Sequence, residues 1–70
     1  MNKPSSLGKT IKFIRVANNI DRNKLSRLTG IDNLALYEIE CGYIQTLNDS
    51  DIEKIANALG VSSDILKRKM

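Results

Sequence analysis

One local pattern occurs four times in this chain of 70 residues. An apolar residue precedes Asp, Asn or Ser, and a second apolar residue follows four positions after that polar residue. Such a polar side chain accepts hydrogen bonds from the free N–H groups of a first helical turn, while the apolar pair packs across it. The pattern therefore predicts four helix starts. They are Ile20-Asp21 with Leu25, Ile31-Asp32 with Leu36, Leu47-Asn48 with Ile52, and Val61-Ser62 with Leu66.

Glycines mark where three of these helices end. Gly30, Gly42 and Gly60 each stand just beyond a helical segment, where a left-handed backbone costs glycine little. An additional helix is expected to begin near Ser5 or Ser6 and to fade at Asn18-Asn19. The sequence thus predicts an all-α fold without strands, with helices near 6–17, 22–29, 33–40, 49–59 and 63–69.

The length allows one hydrophobic core and hence a single domain spanning residues 1–70. Periodic apolar residues of the five helices are the candidates for it. The predicted core consists of Ile11, Ile14, Leu25, Leu28, Leu36, Ile39, Ile55 and Leu59.

The chain has one cysteine and no histidine. An internal disulfide is therefore excluded, and we expect no metal site, no cofactor, no small-molecule substrate and no enzymatic activity. The longest apolar run is three residues and no signal-peptide pattern is present, so we expect a cytoplasmic protein that does not bind membranes.

Charge is distributed unevenly along the chain. Residues 1–31 contain seven Lys or Arg and one Asp, whereas residues 32–60 contain six acids and one Lys. A basic segment of this kind suits a polyanion such as DNA. Ordinary solvated helix faces are the alternative interpretation.

Only Gly30-Ile31-Asp32 separates the second predicted helix from the third. Two short helices joined by such a tight turn describe a helix-turn-helix, which presents its second helix to the major groove of DNA. Short turns containing glycine also occur in purely structural bundles, so the geometry alone leaves both possibilities open.

Several motifs resemble the Cro/C1-type helix-turn-helix family of phage and bacterial repressors. They are Leu7-Gly8 with Ile11 and Arg15, Leu25-Ser26 with Gly30-Ile31, Leu36 with Ile39-Glu40-Cys41-Gly42, and Ile55-Ala56-Asn57-Ala58-Leu59-Gly60-Val61-Ser62. The resemblance implies a five-helix, lambda-repressor-like fold and a sequence-specific DNA-binding transcriptional regulator, a repressor of phage, plasmid or bacterial type.

The same resemblance implies roles for particular residues. Arg15 and Glu40 match a structural ion pair of the family, with a position of Arg15 near a phosphate as the alternative role. Arg22 replaces the Gln with which the family usually contacts a phosphate at the start of the second helix, and an Arg can make the same contact with full charge. In the loop that follows the third helix, Tyr43 and Gln45 are candidates for phosphate contacts, with local packing and solvent exposure as the alternative. The matching base-contacting positions are Asn33, Leu34, Ala35, Tyr37 and Glu38.

Two carboxylates in this region complicate DNA binding. Asp32 and Glu38 repel phosphates unless neighbouring basic groups compensate them. The alternative is a protein-interaction module, an adaptor or antirepressor, on the same fold. The expected partner is double-stranded DNA, bound by a homodimer, since one small domain buries little surface.

Overall fold

Five helices joined by short turns form residues 6–67, the part of the chain that this computed structural model describes. The prediction of an all-helical fold is confirmed, and the described residues contain no strand. The third helix extends one residue further than predicted, and the predicted end of the fifth, at residue 69, lies outside the described residues. The helices are α1 (Ser6–Ala17), α2 (Arg22–Thr29), α3 (Asn33–Cys41), α4 (Asp49–Leu59) and α5 (Ser63–Lys67).

Side-chain caps begin three of the four helices for which they were predicted. Asp21 accepts a hydrogen bond from the Lys24 N–H at 2.7 Å, and Asn48 accepts one from Asp51 at the same distance. The Ser62 hydroxyl accepts from the Asp64 N–H at 3.2 Å. Each bond satisfies a backbone donor that has no partner within its helix.

The predicted cap at Asp32 is wrong, because its side chain makes no capping hydrogen bond. The turn before α3 is held from the other side, by α2. The Ser26 hydroxyl donates to the Ile31 carbonyl at 2.6 Å, and the Ile31 N–H donates to the Thr29 hydroxyl at 3.1 Å. The geometry of the turn therefore depends on two hydroxyl groups rather than on Asp32.

Left-handed residues end four helices. Gly30, Gly42 and Gly60 have φ values of 74°, 88° and 75°, as predicted, and Asn19 ends α1 with a φ of 58°. The Ile20 N–H donates to the Arg15 carbonyl at 3.0 Å, which satisfies an acceptor at the end of α1. The chain thus turns sharply at each of these positions.

The core lies where α1 to α5 converge, and the structure corrects one predicted member of it. Leu28 is 54% exposed, whereas its neighbour Thr29 is buried. Thr29 lies four residues after buried Leu25, and its hydroxyl donates to the Leu25 carbonyl at 2.8 Å, so burial leaves it satisfied. Ile14 is partly buried against the core. The buried apolar residues are Ile11, Leu25, Leu36, Ile39, Ile52, Ile55, Ala56, Leu59 and Leu66.

Helix α1 packs closely across α3 at Gly8. A Cβ atom at this position would overlap the carbonyl oxygen of Ile39. Glycine is therefore required by space rather than by backbone conformation. This crossing fixes α3 from behind and leaves its opposite side exposed.

Candidate nucleic-acid interface

Helix α3 presents a row of side chains to solvent on the side away from the core. The row consists of exposed Leu34, Tyr37 and Cys41 together with half-buried Glu38. Tyr37, Glu38 and Cys41 lie three, four and seven residues after Leu34, and the four side chains therefore share one face. Leu34 is 61% exposed, while Leu36 and Ile39 of the same helix are buried. We call this row the outward stripe of α3.

Asn33 and Ala35 flank the outward stripe and are both half-buried. The Asn33 amide nitrogen donates a hydrogen bond to the Asn23 side-chain oxygen of α2. An amide nitrogen carries two N–H groups, so one of them and the Asn33 oxygen stay available to another partner. The contact fixes the orientation of the Asn33 side chain.

Arg15 and Glu40 join α1 to the last turn of α3. The Arg15 Nε donates to Glu40 Oε2 at 2.8 Å, and its Nη2 donates to Oε1 at 3.0 Å. The Arg15 Nη1 also donates to the Ile20 carbonyl at 2.9 Å. The Glu40 side chain is only 3% exposed, so solvent screens this pair little.

Arg22, at the start of α2, lies against both Glu40 and Tyr37. Its Nη1 is 3.5 Å from Glu40 Oε1, and its guanidinium carbon is 5.1 Å from the centre of the Tyr37 ring. Its buried Nε has no hydrogen-bond partner among the described residues. About a third of the side chain, 34%, remains exposed, so Arg22 can still meet a ligand at the edge of the outward stripe.

Cys41 lies close enough to Tyr37 to affect its ionisation. The pKa of the Tyr37 hydroxyl is raised above its usual value, chiefly by hydrogen bonding to Cys41 and then by repulsion between the phenolate and the Cys41 thiolate, and the Arg22 guanidinium opposes this effect. A phenol is protonated at neutral pH even without such a shift, so the Tyr37 hydroxyl is both a donor and an acceptor in the outward stripe.

The loop after α3 begins beside this surface. The Tyr43 N–H donates to the Glu38 carbonyl at 2.9 Å, and the Tyr43 side chain is exposed. Gln45 is also exposed, and its amide donates to the Gly42 carbonyl at 3.2 Å. The Tyr43 ring is thus accessible, whereas one N–H of the Gln45 amide is already hydrogen-bonded within the turn.

Sequence reasoning did not assign two residues of this region to the site. Cys41 belongs to the outward stripe, and its position seven residues after Leu34 was the available signal. Asn23 contacts Asn33 across the two helices, and no local pattern predicts that contact.

Within residues 6–67, no three or more potential metal ligands cluster together. None of the helices in that range combines the length and the apolar character needed to cross a membrane.

Comparisons with known proteins also indicate a helix-turn-helix domain. A helix-turn-helix family profile matches residues 11–66, which is most of the chain. The fold is similar to that of the restriction-modification controller protein C.AhdI from Aeromonas hydrophila, with a TM-score of 0.82 and 24% sequence identity over 89% of this chain and 92% of that one. No curated protein matches the sequence significantly. The match to the family profile shows that the chain belongs to the Cro/C1-type helix-turn-helix family of DNA-binding regulators, which are not enzymes.

Proposed function

We propose that this protein is a sequence-specific transcriptional regulator that inserts α3 into the major groove of double-stranded DNA. The observation that carries the proposal is the outward stripe of α3, which is exposed while Gly8, Arg15 and the α2 turn fix the helix from behind. A rigid helix with one exposed face matches the docking geometry of helix-turn-helix proteins.

The side chains on this face suit contacts to base edges. The free N–H and the oxygen of Asn33 fit the two groups that adenine presents in the major groove. Leu34 or Ala35 can pack on a thymine methyl group, and Glu38 can accept from the amino group of cytosine. The Tyr37 hydroxyl can donate or accept beside them.

Phosphate contacts position the domain on the duplex. Arg22 is the principal candidate, because its partly exposed guanidinium lies next to Tyr37. Tyr43 and Gln45 follow α3 and are exposed where the flanking DNA backbone would pass. These contacts would position α3 on the duplex without discriminating between base sequences.

We also propose that the protein acts as a homodimer. Two copies bound to half-sites about one helical turn apart would supply the buried surface that one small domain lacks. Repression would follow when the dimer occludes a promoter in the cytoplasm, with the single domain of residues 1–70 as the binding unit. C.AhdI is likewise a controller protein.

The alternative is a protein-interaction module, an adaptor or antirepressor. The specific observation in its favour is that the exposed face of α3 combines apolar Leu34 with acidic Glu38, beside exposed Asp32. Such a face suits a protein partner better than phosphates.

Titration of labelled random-sequence duplex DNA across a salt series separates the two functions. DNA binding predicts that the logarithm of the binding constant falls linearly with the logarithm of salt concentration, by about 0.9 for each phosphate neutralised. A protein that binds no duplex even at low salt would favour the interaction module.

A further inference from the structure

Helix α1 has a second row of side chains on the side opposite its buried face. Lys9, Phe13 and Val16 recur at spacings of four and three residues, whereas Ile11 is buried in the core. Phe13 is 75% exposed and Val16 is 55% exposed. Two large apolar side chains one turn apart on a solvent-facing helix indicate a contact surface.

This row forms one wall of an open groove of about 710 Å³ that reaches the end of α3. Phe13 and Val16 line it together with Cys41, and Lys9 and Lys12 lie at its edge. We call it the α1 groove. It shares only Cys41 with the outward stripe, so a ligand in the groove leaves Leu34 and Tyr37 uncovered.

The charge of the α1 groove is positive. Glu40 also lines it, but that carboxylate already binds Arg15 and lies near Arg22. Lys9 and Lys12 form no salt bridge with a carboxylate of residues 6–67. The groove therefore combines an apolar surface with two lysines that are open to an acidic partner.

We propose that the α1 groove binds a segment of another protein in which apolar side chains alternate with Asp or Glu, such as an acidic amphipathic helix. The apolar side chains would cover Phe13 and Val16, and the carboxylates would face Lys9 and Lys12. A two-fold contact through this surface would pair two grooves that carry the same positive charge, which disfavours a second copy as the occupant. The proposal goes beyond DNA binding and does not depend on it.

Selection of short random peptides displayed on phage, with the full chain as bait, provides the probe. Enriched peptides are expected to combine Asp or Glu with Leu, Phe or Trp. One enriched peptide, labelled with fluorescein, is then titrated with the wild type and the variants, and affinity is read as anisotropy.

Phe13→Ser and Val16→Ser are each expected to weaken peptide binding about tenfold or more, because an apolar contact is lost. Lys12→Glu should weaken it several-fold, with the loss largest at low salt. The matched controls, Leu28→Ser and Lys54→Glu, alter exposed residues outside the α1 groove and should retain wild-type affinity. Circular dichroism verifies that the exposed-site variants are folded.

The proposal is overturned if no peptide is enriched, if enriched peptides lack acidic residues, or if Phe13→Ser and Val16→Ser bind them like the wild type. It is also overturned if Lys12→Glu impairs binding to duplex DNA but not to the peptide, since the lysines then belong to the DNA interface. Phe13→Ser should still bind duplex DNA, so a loss of peptide binding in this variant can be distinguished from a failure of the proposed regulatory function.

Discussion

Glu40 binds Arg15 through both carboxylate oxygens, and this largely buried pair of side chains joins α1 to the last turn of α3. Arg22 approaches the same carboxylate at 3.5 Å. One acidic side chain thus connects the three helices that define the candidate interface. Its role is to fix where α3 stands relative to α1 and α2.

Glu40→Gln should destabilise the fold by about 3 to 5 kcal/mol, because it leaves the largely buried Arg15 guanidinium without a counter-charge. The free energy of unfolding is measured by urea denaturation. Glu53→Gln, at an exposed position of α4, is the control and should change stability by less than about 0.5 kcal/mol. If the two variants are equally stable, the Arg15–Glu40 pair does not stabilise the fold.

Gly8→Ala should destabilise the protein more than Gly30→Ala. The added methyl group at Gly8 meets the Ile39 backbone, so α1 must move away from α3, whereas at Gly30 nothing lies within 4 Å. The cost at Gly30 is only that of a left-handed alanine, about 1 to 2 kcal/mol. Thermal melts followed by circular dichroism compare them, and the reverse order would show that the helices do not cross at Gly8.

Arg22→Ala should weaken binding to all DNA sequences about equally and lower the salt slope by about one unit. A phosphate contact positions the protein but carries no sequence information. Arg27→Ala, which removes an exposed charge from the last turn of the same helix, is the matched control. If Arg22→Ala leaves the slope unchanged, Arg22 only stabilises Glu40 and Tyr37.

Asn33→Ala should reduce the difference in binding free energy between bases at one base pair by about 1 to 3 kcal/mol and leave nonspecific affinity nearly unchanged. Asn23→Ala should have a smaller effect, because it only frees the Asn33 amide to rotate. Selection from random oligonucleotides measures both, with Asn57→Ala on α4 as control. An unchanged sequence preference in Asn33→Ala would show that Asn33 does not contact a base.

Features set by neighbours in sequence could be predicted. The capping side chains of Asp21 and Asn48 act on N–H groups three residues away, and Gly42 adopts a backbone that only a few residue types accept readily. Such interactions depend mainly on residues within one turn of each other, although at Asp32 contacts from α2 hold the turn instead of the predicted cap. For this reason the bounds of the helices agree closely with the sequence pattern.

Features set by packing between helices could not be predicted in the same way. Leu28 and Thr29 lie three and four residues after Leu25, and either spacing can point to a core, so only the position of α4 beside α2 decides between them. Arg22 contacts Glu40 and Tyr37 because α2 and α3 meet at one angle. The sequence of α2 alone does not determine that angle.

The most direct test of DNA binding by α3 compares Leu34→Glu with Leu28→Glu. Both leucines are exposed to a similar extent, 61% and 54%, on adjacent helices, and both changes add one negative charge. Affinity for a duplex enriched by selection is measured by fluorescence anisotropy at fixed salt. Leu34→Glu should reduce affinity by at least about tenfold, since it removes a base contact and adds repulsion, while Leu28→Glu should bind almost like the wild type. Equal affinities of the two variants would contradict the placement of α3 in the major groove.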